Sequence, residues 1–229
     1  MLKLALIGNP NSGKSSVFNA LTGLHQKVGN YPGVTVEVHS GVIKGLHHEP
    51  IEIIDFPGAY SLHSNTSDEF LLTQALLDEK ASFQPDAILY IADIQLLDKQ
   101  LLLLTQIIDL KIPVLVCLSN CDQVDQKTID VHKRFMEQKL LCKTIPVSTK
   151  TALNLELLKT EIKNLRAFIE NASAKEIFFK LSPELLEEFE QSKDQQAPYH
   201  FYLWKHYAQR IDEFTSQQTF DKKITEPPN

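Results

Sequence analysis

The sequence predicts an α/β fold, in which a mixed, mostly parallel sheet carries helices on both faces. Short, continuous apolar runs such as residues 87–92 and 114–118 are typical of parallel strands that are covered on both sides. Helical patterns separate these runs along the chain, and this alternation favours a parallel sheet. All eight glycines lie between Gly8 and Gly58, which concentrates the loops of special backbone geometry near the amino terminus.

The elements follow from the local pattern in chain order. Residues 2–7 form a continuous apolar run and are predicted to be the first strand, whereas residues 24–32 are polar without periodicity and are predicted to be a loop. Alternating valines from Val34 predict a strand over residues 34–43, which forms a hairpin with the apolar strand 51–54. The remaining predicted strands are 87–92, 114–118 and 144–147, and the predicted helices are 14–21, 67–77, 98–110, 128–139 and 153–169.

The alternation of strands and helices ends near residue 170. We therefore predict two domains, a larger α/β domain over residues 1–170 and a small all-helical domain over residues 171–229, which ends in a proline-containing linker. Ser182 and Pro183 are a typical helix start. A second helix is predicted over residues 198–214, with a docking face of side chains at helical spacing: Trp204, Tyr207, Ile211 and Phe214.

Composition excludes several classes of protein. The 229 residues carry 23 Lys and Arg against 29 Asp and Glu, for a formal net charge of −6, and a nucleic-acid partner is not expected without a basic excess. No apolar run reaches the ~18 residues of a membrane-spanning helix, so we expect no direct membrane insertion. Three cysteines without framework spacing indicate a reducing compartment, and the eight histidines lack metal-ligand spacing.

A glycine motif follows the first predicted strand and opens a predicted helix. Residues 8–15 read GNPNSGKS and match G-x-x-x-x-G-K-[ST] in the structural context that this phosphate-binding motif requires. Backbone N–H groups of such a loop surround the β-phosphate, while Lys14 is expected to reach the β- and γ-phosphates and the Ser15 hydroxyl to bind Mg²⁺. The residues predicted to bind nucleotide here are Gly8, Asn9, Pro10, Asn11, Ser12, Gly13, Lys14, Ser15 and Ser16.

A second phosphate-side motif directly follows the apolar strand 51–54. Asp55 at the strand end can hold the Mg²⁺ shell, and Gly58 three residues later can bring its backbone N–H to a γ-phosphate. Thr35, about twenty residues beyond Ser15, is the natural second hydroxyl ligand for Mg²⁺. The predicted binding residues of this side are Gly33, Val34, Thr35, Asp55, Phe56, Pro57 and Gly58.

Three stretches together resemble one family. Residues 8–15, residues 30–37 (NYPGVTVE) and residues 55–62 (DFPGAYSL) are similar to the cytosolic G domain of FeoB-type ferrous iron transport proteins, and the second stretch is the most distinctive. The resemblance implies a Ras-like P-loop GTPase fold with switch I over 24–38 and switch II over 55–70. It also implies that the small helical domain damps nucleotide release.

The same resemblance implies a function. The chain would hydrolyse GTP to GDP and phosphate with Mg²⁺, as part of a longer protein whose membrane permease domain carries Fe²⁺, at the cytoplasmic face of the bacterial inner membrane. Whether the chain forms a homo-oligomer is left open. Asn11 would help to bind an activating K⁺ beside the phosphates.

The residue after Gly58 predicts an unusual mode of hydrolysis. Many small GTPases carry a water-positioning Gln there, whereas this chain has Ala59, which cannot orient water. Slow turnover is therefore expected, with charge stabilisation from K⁺, from switch main-chain groups or from a partner. The predicted catalytic residues are Asn11, Lys14, Thr35 and Gly58.

The strand over residues 114–118 is predicted to end at a base-recognition loop of the N-x-x-D type. Asp122 fits the carboxylate that accepts both guanine N1–H and N2–H₂, but the expected Asn is Ser119, and weaker binding of the base is therefore expected. Residues 148–150 resemble the S-A-K loop whose main chain contacts guanine O6. The predicted base-site residues are Ser119, Asn120, Cys121, Asp122, Ser148, Thr149 and Lys150.

Two other functions remain open from the sequence. A ribosome-assembly or RNA-modification GTPase would share the phosphate loop, although the net charge of −6 and the lack of any basic run after residue 170 oppose an RNA-binding unit. A nucleotide-sensing interaction module with negligible turnover is also compatible with Ala59. Measurements of RNA binding and of K⁺-dependent phosphate release would separate these functions.

Overall fold

A seven-stranded sheet organises the larger part of the chain. The computed structural model describes residues 1–23, 27–30, 37–44, 50–63, 67–77, 84–170, 178–192, 199, 202 and 203. Its strands are β1 (Leu2–Gly8), β2 (Lys27–Asn30), β3 (Glu37–Val42), β4 (Ile51–Asp55), β5 (Ala87–Asp93), β6 (Val114–Ser119) and β7 (Thr144–Pro146). Its α-helices are α1 (Lys14–Thr22), α2 (Ser67–Leu77), α3 (Leu97–Asp109), α4 (Gln126–Lys139), α5 (Leu155–Glu170) and α6 (Pro183–Ser192).

The strand order is β2-β3-β4-β1-β5-β6-β7. The strands β4, β1, β5, β6 and β7, in this order across the sheet, pair in parallel. Because β3 pairs antiparallel with β4, the predicted mixed sheet and its hairpin are confirmed. The prediction of a loop over residues 24–32 is wrong for residues 27–30, which form the antiparallel edge strand β2. An edge strand is held by main-chain hydrogen bonds to one neighbour and needs no apolar periodicity, so the pattern missed it.

Helices cover the sheet on both faces, as the continuous apolar strands predicted. One face packs against α1 and α5 and includes alternate strand positions such as Leu4, Leu6 and Leu89. The intervening positions, including Ala5 and Tyr90, are also fully buried, and α3 packs on this second face over β5. Both faces of the central strands are therefore removed from water, which explains why their sequences are apolar without alternation.

The parallel strands end at the same edge of the sheet. Gly8 ends β1, Asp55 ends β4, Asp93 ends β5 and Ser119 ends β6. Register pairs Asp93 with Ser119, so the polar end residues of β5 and β6 lie side by side, and it pairs Asp55 with Leu6, two residues before the end of β1. In open α/β sheets this carboxyl edge is where ligands bind, so the topology alone indicates where a functional site belongs.

The chain divides into two units, residues 1–178 and 179–229. In the second unit α6 begins after Ser182, whose Oγ accepts a hydrogen bond from Leu185 N at 3.4 Å, as the sequence predicted for a helix start. The ring of Phe179 lies 4.9 Å from that of Tyr199 and 4.6 Å from that of Tyr202. The four side chains of the predicted docking face, Trp204, Tyr207, Ile211 and Phe214, lie outside the described residues.

The helical domain over 171–229 and the boundary after residue 170 stay predictions, because residues 171–177 and most of those after 192 are outside the described ranges. Within the described part of the chain, no helix is both long enough and apolar enough to cross a membrane.

Candidate nucleotide-binding site

The phosphate loop connects β1 to α1 at the carboxyl edge of the sheet. A Cβ added to Gly8 would lie 2.5 Å from the backbone oxygen of Ile91, so only glycine lets the loop start this close to β5. Asn11 and Gly13 have φ angles of 63° and 84°, which are left-handed conformations that Asn and Gly adopt most readily. The loop geometry thus depends on residue types that the motif supplies.

The amino terminus of α1 is available to a ligand. Gly13 is its N-cap residue and supplies no side-chain cap, so the first N–H groups of the helix are left for another acceptor. These groups also carry the positive end of the helix dipole, which attracts anions. The arrangement is that of a phosphate site.

A cleft of about 580 Å³ opens in front of this helix terminus. Its walls bring two predicted motifs together, because Pro57 and Gly58 face the phosphate loop across it. A Cβ on Gly58 would lie 2.9 Å from Pro10 N, so the two segments approach closely only because residue 58 is glycine. The lining residues are Asn9, Pro10, Asn11, Gly13, Lys14, Ser15, Ser16, Pro57 and Gly58.

Lys14 and Asp55 form an ion pair beside the cleft, and their side chains are only 12% and 11% exposed. Burial raises the pKa of Asp55, and the neighbouring positive charge of Lys14 acts in the opposite direction. The two residues that the sequence assigned to the phosphates and to Mg²⁺ are therefore in direct contact. Phe56, the next residue, is fully buried and contributes packing next to the site.

The segment after Gly58 is tied to the rest of the domain. Ala59 is fully buried and its N–H donates to the Gly8 carbonyl at 3.3 Å, so its methyl group faces the interior. Further along, Leu62 N donates to Gln106 Oε1 of α3 at 2.8 Å, and Ser61 Oγ lies 3.1 Å from the same oxygen. Sequence reasoning missed Gln106, whose polar character on an apolar helix was the available signal.

The base loop is joined directly to the phosphate loop. Ser119 is 4% exposed, and its Oγ lies 2.6 Å from the Ser12 carbonyl oxygen and 3.2 Å from that of Ala92. Asn120 has a φ angle of 58°, and its Nδ2 donates to Asp93 Oδ2 at 2.8 Å. A short hydroxyl thus reaches the phosphate loop where the sequence led us to expect an asparagine.

The remaining base-site residues differ in exposure. Cys121 is buried, burial raises the pKa of its thiol to about 11, and its N–H donates to Val147 O at 3.2 Å. Such a thiol stays neutral near pH 7, and Cys121 packs in the interior beside the base loop. Asp122 is exposed, Ser148 is buried with its Oγ accepting from Thr151 N at 3.2 Å, Thr149 is half-buried and Lys150 is exposed.

A buried polar network that sequence reasoning missed lies behind the site. Tyr90 Oη lies 2.7 Å from the carbonyl oxygen of Gln100 and 3.0 Å from Asn9 Oδ1 of the phosphate loop. The Gln100 side chain in turn accepts from Asp93 N at 2.8 Å. Burial raises the pKa of Tyr90, so its hydroxyl keeps its proton and can donate.

Part of the predicted site cannot be placed. Gly33, Val34 and Thr35 lie outside the described residues, as does most of switch I. Among the residues that are described, no group of three or more His, Cys, Asp or Glu side chains could hold a metal ion.

The chain is similar to known proteins in family, sequence and structure. Residues 2–162 match the family model described as ferrous iron transport protein B. The Fe(2+) transporter FeoB of Leptospira interrogans (serovar copenhageni) is 36% identical over 166 residues, which are 72% of this chain and 23% of that protein. The Fe(2+) transporter FeoB of Escherichia coli K12 is 35% identical over 166 residues, 72% of this chain and 21% of that protein. The matched segment therefore spans less than a quarter of the length of these curated relatives.

Solved structures agree with the sequence matches. A GDP-bound variant of the S. thermophilus FeoB G domain superimposes with a TM-score of 0.70 at 32% identity, covering 89% of this chain and 77% of that one. The G domain of the T. maritima FeoB iron transporter has a TM-score of 0.62 at 35% identity, covering 72% of this chain and 99% of that one. The chain therefore belongs to the ferrous iron transport protein B family, and residues 2–162 correspond to its G domain.

Proposed function

We propose that this chain binds GTP with Mg²⁺ and hydrolyses it to GDP and phosphate, as the cytosolic switch domain of a membrane Fe²⁺ transporter. The observation that carries the proposal is the cleft in which the uncapped start of α1 faces Pro57 and Gly58, with the Lys14–Asp55 ion pair beside it. This cleft combines the anion-binding amides, the cation and the carboxylate that phosphoryl transfer requires.

The residues present fit a bound Mg²⁺–phosphate group. Mg²⁺ prefers oxygen ligands, and Ser15 offers a hydroxyl in the cleft while Asp55 offers a carboxylate at the end of β4. Lys14 and Asp55 neutralise each other, and a phosphate with its metal would supply each of them with an opposite charge. The metal would offset the negative charge that develops on the phosphate oxygens. Thr35 is proposed as the second hydroxyl ligand, with Gly33 and Val34 beside it.

Turnover is proposed to be slow and to depend on K⁺. The buried methyl group of Ala59 cannot orient a water molecule, so no side chain at that position assists hydrolysis. Asn11 lines the cleft in a left-handed conformation, and we assign to it a K⁺ whose charge would act beside the phosphates. The main-chain N–H of Gly58 is assigned to the γ-phosphate.

Guanine is the proposed base. The carboxylate of Asp122 is exposed in the loop that follows β6, where it can accept from two guanine donors that adenine lacks. Residues 148–150 lie next to this loop, since Cys121 N donates to Val147 O. Their main chain is assigned to guanine O6. Solved relatives that are described as GDP-bound support this choice.

The transport role rests on the relatives. Those that match are named Fe(2+) transporters and are about four times as long as the matched segment, which leaves room for a permease domain in each. We propose that this chain works on such a permease domain at the cytoplasmic face of the bacterial inner membrane. The oligomeric state is left open, and no nucleic-acid partner is proposed.

Measurements of phosphate release test the proposal. GTP and ATP are compared with Mg²⁺, with a chelator, and with K⁺ exchanged for Na⁺ at fixed ionic strength. We expect slow release from GTP alone, loss of release with the chelator, faster release in K⁺, and loss of the K⁺ response in Asn11→Ala. Tight binding of GTP with no release in any salt would instead favour a nucleotide-sensing module. RNA binding would favour the RNA-processing class.

A further inference from the structure

We propose that Asp93 is a positioning residue of the base site, because its carboxylate holds Asn120 in the turn from which Asp122 meets guanine. This inference rests on the proposed guanine binding, and it assigns a role to a residue that touches neither the base nor the phosphates. The contact that carries it is the 2.8 Å hydrogen bond from Asn120 Nδ2 to Asp93 Oδ2.

Asn120 sets the direction of the base loop. It leaves β6 with φ and ψ angles of 58° and 28°, directly before the single helical turn of Cys121–Gln123 that contains Asp122. A non-glycine residue in this left-handed region is strained unless its surroundings hold it there, and Asn is among the few types that accept it. The turn therefore needs an anchor outside the loop.

Asp93 provides that anchor from the neighbouring strand. It is 7% exposed and pairs in register with Ser119 at the carboxyl edge of the sheet. Its Oδ1 accepts from Gln95 N at 2.9 Å, and its own N–H donates to Gln100 Oε1 at 2.8 Å. The backbone of Asp93 is thus held by α3, one carboxylate oxygen is held by Gln95 N, and the second oxygen accepts from the amide of Asn120.

The anchor is shared with the phosphate loop. Gln100, which holds Asp93, is also bound through its carbonyl oxygen to Tyr90 Oη, and Tyr90 reaches Asn9. One buried network therefore connects the phosphate loop to the base loop behind the site. Loss of the Asp93 carboxylate would remove only the hydrogen bond to Asn120 at the end of this network. The base loop should therefore shift while the phosphate loop keeps its other contacts.

Binding of GDP by titration and of ADP by displacement of a fluorescent GDP analogue tests this role. ADP reports the phosphate contacts alone, so the ratio of the two affinities isolates the contribution of the base. We expect Asp93→Ala to lower the preference for GDP by about tenfold, the loss typical of one hydrogen bond to a charged group, while ADP affinity stays within about twofold. Asp98→Ala, which removes an exposed carboxylate five residues away, is the matched control and should leave the ratio unchanged.

A second variant keeps the test valid if Asp93→Ala does not fold. Asn120→Gly removes the amide but accepts a φ angle of 58° without strain, and it should lower the GDP preference by a similar factor. If Asp93 acts through Asn120, the double variant loses no more preference than either single variant. GDP and ADP affinities that fall together, or a double variant whose losses add, would show a merely structural role and overturn the inference.

Failure of the proposed function and failure of this inference give different results. A wild-type chain that binds GDP no better than ADP would overturn the proposed function and this inference with it. A wild-type chain that prefers GDP, with that preference intact in Asp93→Ala, would overturn the inference alone.

Discussion

The phosphate cleft and the base loop lie at the same edge of one sheet, yet they are built in different ways. Most of the cleft comes from residues 8–16, whose glycines, asparagine and helix start are adjacent in the chain. The base loop depends on partners far away in the sequence, since Ser119 reaches the Ser12 carbonyl and Asn120 reaches Asp93. A contiguous motif therefore determines the phosphate side, whereas the base side is determined by packing between strands.

This difference has a functional consequence. Substitutions in the phosphate loop would remove groups that we propose act on the phosphates themselves, and they should strongly lower turnover. Substitutions in and around the base loop remove the proposed contact to the base or shift its position, and they should change selectivity or the rate of nucleotide release by smaller factors. The predictions below separate the two regions, beginning with the largest expected effect.

Removing the cation of the phosphate loop should have the largest effect. Lys14→Ala removes the positive charge that lies beside the cleft, and loss of one such electrostatic group typically costs about 10²- to 10³-fold in kcat. Ser15→Ala should act in the same direction by removing a metal ligand. Phosphate release measures turnover and circular dichroism checks the fold, with Lys127→Ala on the exposed face of α4 as control. Unchanged hydrolysis in either variant would remove the phosphate-loop assignment.

Removing the base-reading carboxylate should abolish selectivity and leave the cleft intact. Asp122→Ala leaves two guanine donors without an acceptor, which corresponds to roughly 1–3 kcal/mol, or about 5- to 150-fold in affinity. Calorimetric titration of GDP and ADP measures the preference. A variant that still prefers GDP by the wild-type factor would place guanine recognition elsewhere.

Widening the gap between the two phosphate motifs should have a smaller effect. Gly58→Ala places a Cβ 2.9 Å from Pro10 N and close to Pro10 Cα. Because both of these are backbone atoms, the two segments must move apart. We expect turnover to fall about tenfold, because a small displacement of positioned groups slows the reaction, with the preference for GDP over ADP unchanged. Full activity in this variant would show that residues 57 and 58 do not need to approach the phosphate loop.

Cutting the connection between the two regions should have the smallest effect. Ser119→Ala leaves the Ser12 carbonyl without the hydroxyl that lies 2.6 Å away, and a lost neutral hydrogen bond is worth about 0.5–1.5 kcal/mol. We expect GDP release to accelerate about fivefold, as followed by chase of a fluorescent GDP analogue, with hydrolysis changed less than in Gly58→Ala. An unchanged release rate would mean that the hydroxyl does not couple the loops.

The sequence by itself determined the α/β fold, the phosphate loop and the position of Asp55 at the end of a buried strand. The fold and the phosphate loop were predicted from local patterns: continuous apolar strands, helical spacing and an eight-residue motif. Such patterns can be recognised without knowing which distant residues they contact. The bounds of the predicted strands and helices agree with the structure to within two residues where both are described. The aspartate could be assigned because it directly follows a buried strand.

Tertiary structure alone decided the rest. The edge strand β2 forms because its main chain pairs with that of β3 through hydrogen bonds. No pattern of side chains in residues 27–30 indicates this pairing. The hydroxyl of Ser119 contacts the Ser12 carbonyl, 107 positions away, and only the folded chain brings these two groups together. The hydrogen bond between Asn120 and Asp93 forms because β5 and β6 lie side by side in the sheet. Each of these contacts depends on which groups the folded sheet brings together. No short stretch of sequence shows which distant residues will lie close to one another.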